Sequence, residues 1–195
     1  MQIKIAYLAD HMHYSAILAT WLQKHWGSIY PNRTLEQWQE KLFNSKYRLP
    51  LTLVAINDAE EPKPVGMVTL RFGANEIFGA ESIVELSGLY VDDAHRTHGI
   101  GSKLIRYACI VAGKLNFKSL HLFTYGSGKI YHANGWELYR VFTHKGKTVS
   151  LMKRTLAMQY TNAELLNARG KFAVSAGDHC KSADTEPDVK LTAKL

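Results

Sequence analysis

A helix enclosed by two strands constrains the fold of this chain more than any other feature. The run SIVELSGLYV, from Ser82 to Val91, is rich in β-branched residues, and a turn with two glycines follows it. Apolar residues recur at helical spacing from Ile100 to Leu115, and SLHLFT, from Ser119 to Thr124, is typical of a second strand. Because a helical crossover usually joins parallel strands, this order predicts a βαβ unit and an α/β fold class.

Alternating and β-branched runs predict further strands on both sides of this unit, namely Gln2–Leu8, Leu51–Ile56, Val65–Phe72, Glu137–Phe142 and Thr148–Lys153. A helix is predicted over His11–Trp26, where leucines and tryptophans share one face and Gly27 ends the pattern. Another begins after Thr34, because Gln37 stands three residues on and completes a capping box. A short helix is predicted over Gly128–Ala133.

The character of the sequence changes near Leu156. The chain has 195 residues, of which 46% are apolar and 21% charged, as expected for one globular domain plus a tail. Residues 157–195 hold many small and polar residues and predict a loosely ordered tail with one short helix at most. We therefore expect a single domain over residues 1–156, followed by a C-terminal tail.

Several classes of protein are disfavoured by composition. No apolar run approaches the roughly 20 residues that cross a bilayer. The start, with Lys4 and then Asp10, lacks the long apolar core of a secretory signal. Two cysteines, Cys109 and Cys180, are too few for a disulfide scaffold. A cytoplasmic protein with no membrane partner is expected.

The net charge of +7 and the pI near 9.3 admit two interpretations. A basic surface could bind nucleic acid, or the charge could attract a small polyanion such as a nucleotide cofactor. The basic residues are scattered, with no run of three, whereas nucleic-acid binding usually rests on a clustered stripe. No nucleic-acid partner is therefore expected.

The turn that follows the first strand of the βαβ unit has the features of a phosphate site. The first NH groups of a helix lack internal partners and carry the positive end of its dipole. Gly99 and Gly101 let a ligand approach the backbone, and Arg96 adds a charge-assisted hydrogen bond. The order R-x-x-G-x-G is neither a P-loop nor the G-x-G-x-x-G dinucleotide fingerprint. A glycine-rich connector without a ligand is the alternative.

The histidines of this turn make a metal site the other alternative to consider. His95 and His98 lie in it, and His11 and His13 form a second pair near the start. Neither pair has a further cluster of ligands at a useful spacing, and zinc needs three or four convergent ligands. No metal is expected.

Two segments resemble the GNAT acyltransferases. ELSGLYVDDAHRTHGIGSKLI is similar to their acetyl-CoA-binding segment, and the hallmark Q/R-x-x-G-x-G/A falls on Arg96–Gly101. LHLFTYGSGKIYHANGWEL resembles the segment that closes the same site, with Tyr131 and the pair Gly135–Trp136. His98 is a departure, since the family more often has a long basic or polar residue beside a glycine. The resemblance extends over residues 1 to about 156 and excludes the tail.

The resemblance implies a fold and a co-substrate. The fold is the GNAT-like acyl-CoA N-acyltransferase fold, an α+β mixed sheet that is mostly antiparallel, splays at one parallel pair and is flanked by helices. Acetyl-CoA would lie with its pantetheine along Leu89, Tyr90 and Val91. Its pyrophosphate would lie on the turn, whose implied cofactor-binding residues are Arg96, Thr97, His98, Gly99, Ile100, Gly101 and Ser102.

The implied activity is that of an N-acetyltransferase, in which an amine attacks the thioester directly. A lysine-like amine is neutral in only about one molecule per 2,500 at pH 7, so a base is useful. Glu85 is the candidate base, with Glu81 as a rival on the same side of the strand, and a surface charge on a half-exposed strand is the alternative for Glu85. Tyr131 is the candidate acid for the departing thiolate, and a packed aromatic is the alternative. Cys109 lies mid-helix and is expected to be inert.

The resemblance does not name the acceptor amine. It would be shaped by residues 21–48, where Tyr30 and its neighbours from Gly27 to Pro31 could line a groove, and by the loop GANEIFGAES. Small-molecule and protein acceptors both stay open, as does the oligomeric state, a homodimer included. A catalytically silent acyl-CoA-binding or regulatory module is the alternative function.

Overall fold

The computed structural model describes residues 2–73, 83–144 and 146–156. Within them the strands are β1 (Ile3–Tyr7), β2 (Leu51–Asn57), β3 (Lys63–Phe72), β4 (Val84–Val91), β5 (Ser119–Thr124), β6 (Glu137–His144) and β7 (Lys147–Thr155). The helices are α1 (Ser15–Trp26), α2 (Leu35–Gln39), α3 (Ile100–Lys114) and α4 (Lys129–His132). The strands of this described part form one sheet in the order β1-β2-β3-β4-β5-β7-β6. Each element lies close to where the sequence pattern predicts it.

The first predicted helix is shorter than expected. The pattern predicts a helix over His11–Trp26, whereas Met12–Tyr14 forms a 3-10 turn and α1 begins at Ser15. In that turn the NH of Tyr14 donates to the carbonyl of His11 at 2.9 Å, three residues back rather than four. Tight turns of this kind are frequent at the start of helices, and apolar periodicity does not distinguish them from α-helix.

The predicted capping box of α2 forms. The NH of Gln37 donates to Thr34 Oγ1 at 3.3 Å, and the NH of Thr34 donates to Gln37 Oε1 at 2.9 Å. The helix is only five residues long, too short to be stable alone. Trp38 and Leu42 are buried and attach this segment to the core.

One parallel pair interrupts an otherwise antiparallel sheet. β4 and β5 run parallel, and α3 connects them as the βαβ pattern predicts. Among the described residues, only Glu85 and His121 are paired between these two strands. By contrast, the antiparallel pairs β3–β4 and β5–β7 are joined along much of their length. The two strands therefore separate beyond Glu85, and the splay that the family resemblance implies is confirmed.

Two layers of side chains cover the sheet. On the α3 side the buried cluster includes Leu53, Val68, Leu86, Leu104, Ala108 and Leu122. On the side of α1 and α2 the buried cluster includes Leu18, Leu22, Trp38, Val54, Met67 and Tyr90. Because β2 and β3 are covered on both faces, they are largely apolar and buried along their length, as central strands are.

A bulge at Gly88 changes the facing of β4. Leu86 and Leu89 both pack on the α3 side, although residues three apart on a regular strand face opposite ways. Gly88 has a φ of +58°, which favours glycine, and the register against β3 shifts here. As a result Tyr90 turns towards α1, while Leu89 and Val91 lie against the α3 layer.

Some predictions fall outside the described residues. These are the tail of residues 157–195, the loop after Gly73, the rival base Glu81 and Cys180. None of the helices in the described part is both long and apolar enough to cross a bilayer.

Candidate functional site

The end of β4 leads into a turn whose backbone is open to a ligand. Thr97 and Gly99 have φ angles of 68° and 74°, so the chain reverses within four residues and enters α3. Gly99 is the N-cap, and no side chain caps the helix. The first helical hydrogen bond runs from the NH of Lys103 to the carbonyl of Gly99 at 3.0 Å. The preceding NH groups of the first turn are those that bind anions in other proteins.

A cleft of about 420 Å³ lies beside this turn. Nine of the ten residues predicted to bind the cofactor line it, namely Leu89, Tyr90, Val91, Arg96, Thr97, Gly99, Ile100, Gly101 and Ser102. The side chain of His98, the tenth, lies elsewhere: its Nδ1 is 2.7 Å from the carbonyl of Arg96. His25, His95 and Ile130 also line the cleft, although the sequence analysis considered only His95, and only as a metal ligand.

Gly101 is required by close packing. A Cβ at this position would lie 2.9 Å from Ile130 Cδ1 and 3.7 Å from Val91 Cγ2. Asn134 is buried and its amide donates to Ser102 Oγ at 3.0 Å and to the carbonyl of Ile130 at 2.8 Å. These contacts attach α4 to the first turn of α3 and close one end of the cleft. At Gly99, by contrast, a Cβ would meet nothing within 4 Å, so the backbone of the turn is open there.

Arg96 lies at the edge of the cleft and contacts its own turn. Its Nε donates to the carbonyl of Val91 at 3.2 Å, and its Nη2 is 2.7 Å from Asp93 Oδ1. Asp93 also accepts from Lys24 of α1 at 2.8 Å. The hydrogen bond from Lys24, with a further contribution from Arg96, lowers the pKa of the Asp93 carboxyl. This bridge links α1 to the cofactor turn.

Glu85 is a buried ion-pair residue rather than a charge on a half-exposed strand. Its side chain is 7% exposed, and Arg71 on β3 contacts its Oε2 through Nε at 3.1 Å and Nη2 at 3.0 Å. Burial raises the pKa of the Glu85 carboxyl, and Arg71 opposes the rise. Glu85 does not line the cleft, but it stands opposite His121 at the point where β4 and β5 separate.

Tyr131 lies beside the cleft without lining it. Its neighbour Ile130 lines the cleft, while the Tyr131 ring packs against the α3-side core and lies 6.1 Å from the ring of Trp136. Burial raises the pKa of the Tyr131 hydroxyl to about 12. The packed-aromatic interpretation therefore has support in the structure, and the catalytic role stays a prediction.

A second tyrosine, which the sequence pattern did not single out, stands at the end of β5. The hydroxyl of Tyr125 is 2.7 Å from Nδ1 of His144, the last residue of β6. Burial raises the pKa of Tyr125 to about 12, and Tyr30 contributes to the rise. A tyrosine directly after a strand of a βαβ unit is the signal that could have drawn attention to Tyr125.

The aromatic residues of the predicted acceptor region divide into core and surface. Trp21 and Trp38 are buried, whereas Tyr47 is exposed. The guanidinium of Arg33 lies 4.6 Å from the ring centroids of both Tyr30 and Trp38. This cation–π contact stabilises the packing around Tyr30 and Trp38.

The remaining candidates behave as inert groups. Cys109 is buried in α3, and burial raises the pKa of its thiol, which disfavours the nucleophilic thiolate. His95 is engaged by Asp92 at 2.9 Å. Within the described ranges no three side chains of His, Cys, Asp or Glu gather in a metal-binding arrangement.

Comparison with known families decides how this cleft is classified. A sequence model of the acetyltransferase (GNAT) family matches residues 16–142, more than half of the chain. The chain belongs to this acetyltransferase family. The GNAT resemblance predicted from the two motifs is therefore confirmed. Curated protein sequences give no significant match.

Solved structures share the fold of this GNAT chain. An aminoglycoside 6'-acetyltransferase type Ii superposes with a TM-score of 0.62 at 18% identity, over 80% of this chain and 98% of its own. A PaiA N-acetyltransferase from Thermoplasma acidophilum, in complex with coenzyme A, gives 0.57 at 22% identity over 80% and 99%. A chain of the NatC complex bound to Gag peptide and coenzyme A gives 0.57 at 16% identity over 80% and 100%. At these identities the likeness shows the fold alone.

Proposed function

We propose that this GNAT-family chain transfers an acetyl group from acetyl-CoA to a primary amine of a small molecule or a protein. The observation that carries the proposal is the cleft at the start of α3. It joins the end of β4 to an uncapped helix N-terminus through a glycine turn. Two of the solved neighbours hold coenzyme A, which supports the same ligand here.

The residues of the cleft fit the two chemical parts of coenzyme A. The NH groups at the start of α3 would hold the phosphates, with Arg96 released from Asp93 to assist them. The backbone of Leu89–Val91, next to the gap between β4 and β5, would accept the pantetheine amides. Acetyl-CoA, when bound, supplies the thioester that an amine can attack.

The acceptor amine needs to lose a proton before it attacks. Both contacts of Arg71 fall on Oε2 of Glu85, so Oε1 is the oxygen that would hold a water in a proton relay. The raised pKa of Glu85 makes it a stronger base than an exposed carboxylate. Tyr131 would donate to the departing thiolate only after its ring turns from the core.

A silent acyl-CoA-binding module is the second candidate, and one observation favours it. Glu85 is held by Arg71 and Tyr131 packs on Trp136, so both proposed catalytic groups also have structural roles. In that case the cleft would bind acetyl-CoA without turnover. Neighbours named for aminoglycoside and peptide complexes make small-molecule and peptide amines equally suitable acceptors to test.

Thermal unfolding with acetyl-CoA, and with ATP at the same dose, tests the first part of the proposal. A ligand at 100 times its Kd stabilises a protein by about 2.7 kcal/mol, which is a visible shift in Tm. We expect a shift with acetyl-CoA and none with ATP. No shift at concentrations well above micromolar would contradict both candidate functions.

Release of free thiol from acetyl-CoA then separates the enzyme from the silent module. The panel should contain an aminoglycoside, a peptide with a free α-amino group and a peptide with a free lysine only. Thiol release that depends on one of these amines supports the acetyltransferase. A protein that shifts its Tm with acetyl-CoA but releases no thiol with any of them supports the silent module.

A further inference from the structure

A histidine from α1 lines the same cleft as the turn before α3. His25 lies in the last turn of α1 and lines the cleft together with Tyr90 and Arg96. Its ring stands edge-on to Tyr90, with centroids 5.8 Å apart, and edge-on to Trp26 at 4.4 Å. Tyr90 is itself buried and stacks on Trp21 at 5.2 Å, so this side of the cleft is rigidly packed.

His25 and Arg96 converge on the same aromatic ring from different elements. The guanidinium of Arg96 lies 5.7 Å from the centroid of Tyr90, and the charge of Arg96 acts on His25. A protonated His25 would be repelled by Arg96 when no anion lies between them. A ligand phosphate between them would attract both groups and so favour the protonated ring.

Burial and a neighbouring charge disfavour the protonated form of His25 in the free protein. Burial and the charge of Arg96 both lower the pKa of His25 below its usual value, and Asp93 opposes them weakly. Asp93 is already shared between Lys24 at 2.8 Å and Arg96 at 2.7 Å, which limits its effect on the imidazole. His25 lies in the last turn of α1, where the helix dipole favours a positive charge. An anion bound beside the ring would favour its protonated form further.

We propose that His25 is an anion-binding residue of this cleft and that it takes up a proton from solvent when the phosphates of acetyl-CoA bind. The inference rests on the proposed acetyl-CoA site and adds to it a residue outside both GNAT motifs. The protonated ring would donate one charge-assisted hydrogen bond to a phosphate oxygen, opposite the NH groups at the start of α3. The cofactor would thereby connect α1 with the turn, as the Lys24–Asp93 contact does in the free protein.

This role has a defined pH dependence. A group whose pKa is higher in the complex than in the free protein binds protons on ligand binding, so affinity is greatest at low pH. The affinity then falls as the pH rises from the lowered pKa of His25 in the free protein to its higher pKa in the complex. Between about pH 6 and pH 8 we expect the Kd for acetyl-CoA to rise roughly tenfold through this group, as one charge-assisted hydrogen bond allows.

Titration calorimetry with acetyl-CoA tests the inference. The wild type, His25→Gln and His132→Gln are compared at several pH values, in two buffers of different ionisation enthalpy to count the protons taken up. His132 is an exposed histidine outside the cleft and serves as the matched control. The phosphates of the ligand titrate near pH 6 as well, but equally for every variant, so the difference between variants isolates His25.

We expect the wild type and His132→Gln to take up more protons and to show a steeper pH slope than His25→Gln, which keeps only the share that comes from the ligand phosphates. His25→Lys, with a charge at every pH used, should bind tightly at about pH 8 without the share of the slope due to His25. Wild type and His25→Gln with parallel pH curves would overturn the role of His25 while leaving the acetyl-CoA site intact. A wild-type protein that binds no acetyl-CoA at any pH would overturn the proposed function and this inference together.

Discussion

Thr97 has a backbone conformation that β-branched residues rarely adopt. Its φ of 68° lies in the left-handed region, and its hydroxyl donates to the carbonyl of Arg96 at 2.6 Å. Left-handed geometry in a bulky residue strains the chain by about 1–3 kcal/mol, and such strain collects at ligand sites. The turn therefore keeps its shape against a local preference, because Arg96 and Gly99 hold it at both ends.

Thr97→Gly is expected to stabilise the protein by about 1 kcal/mol, since relief of the strain exceeds the extra flexibility of glycine in the unfolded chain. Thermal or urea unfolding measures the change. Ser102→Gly, in the first turn of α3, is the control and should destabilise, because it removes a contact of Asn134 and weakens the helix. A destabilised Thr97→Gly would mean that the hydroxyl contact to Arg96 outweighs the strain.

Tyr131→Phe tests the candidate acid. The substitution keeps the ring in its packing against Trp136 and removes only the hydroxyl, so acetyl-CoA affinity should not change. If Tyr131 donates to the thiolate, kcat should fall about 100-fold, as for other general acids. Tyr125→Phe is the matched variant, because burial raises the pKa of both hydroxyls to about 12. Full turnover in Tyr131→Phe together with a loss in Tyr125→Phe would move the role to Tyr125.

Arg71→Met tests the buried pair at β3 and β4. Removing one partner of a buried ion pair destabilises a protein by about 3 kcal/mol or more, although Arg71 is itself half exposed. The pKa of Glu85 is raised in the folded state, so stability falls as the pH rises from the unfolded value of about 4.3 to that raised value. Without Arg71 the folded-state pKa of Glu85 rises further. The pH range over which stability falls then extends closer to neutral pH.

The measurement is the free energy of unfolding of the Arg71→Met variant between about pH 5 and pH 8, where a shifted carboxyl changes stability. Adding Glu85→Gln to this variant removes the titrating group and should flatten the curve. An equally flat curve in Arg71→Met alone would show that Glu85 is solvated after the loss of its partner.

At the scale of elements, the first turn of α3 leaves little room for added atoms at Gly101. A Cβ at Gly101 would lie 2.9 Å from Ile130 Cδ1 and 3.7 Å from Val91 Cγ2. The other glycine of the helix, Gly113, would meet nothing within 4 Å. One helix thus carries a glycine required by packing and another that packing does not require.

Gly101→Asp is expected to abolish acetyl-CoA binding, because it adds both a clash with Ile130 and a negative charge at the phosphate site. Gly113→Ala, at the far end of the same helix, should keep the affinity and stabilise the fold by about 1 kcal/mol. Calorimetric titration with acetyl-CoA and thermal unfolding measure both. Retained affinity in a folded Gly101→Asp variant would refute the position of the pyrophosphate.

At the scale of the whole molecule, the last described residue, Leu156, is part of the packed structure. This residue is buried, and its NH donates to the carbonyl of Lys118 at 2.9 Å, just before β5. Leu156 belongs to the buried cluster on the α3 side of the sheet. The domain of residues 1–156 stays a prediction, which a shortened chain tests.

A chain that ends at Leu156 should unfold at the same temperature as the full chain and show the same Tm shift with acetyl-CoA. A chain that ends at Met152 removes the last residues of β7 and should not fold, which makes it the negative control. A large drop in Tm for the chain that ends at Leu156 would mean that residues 157–195 belong to the folded domain.

The order of elements and the chemistry of the turn could be predicted from the sequence because both depend on neighbours along the chain. Apolar periodicity marks strands and helices, and Arg96, Gly99 and Gly101 place a charge and two bare backbone positions beside a helix start. The same local character lets the two motifs identify the family. The ends of the helices and strands are predicted less well, as the 3-10 turn at Met12–Tyr14 shows.

The tertiary structure alone decided which distant residues meet. Pairing of β3 with β4 places Arg71 against Glu85, and packing of α1 on the sheet brings His25 to Tyr90, 65 positions further along the chain. Neither contact leaves a periodic signal, since each depends on the register and crossing of whole elements. The sequence by itself therefore determined the family, the sheet with its parallel pair and the glycine turn that we propose as the phosphate site. The charge environment of the candidate base and the contribution of α1 to the cleft were decided only when the chain folded, because electrostatics and burial act through space.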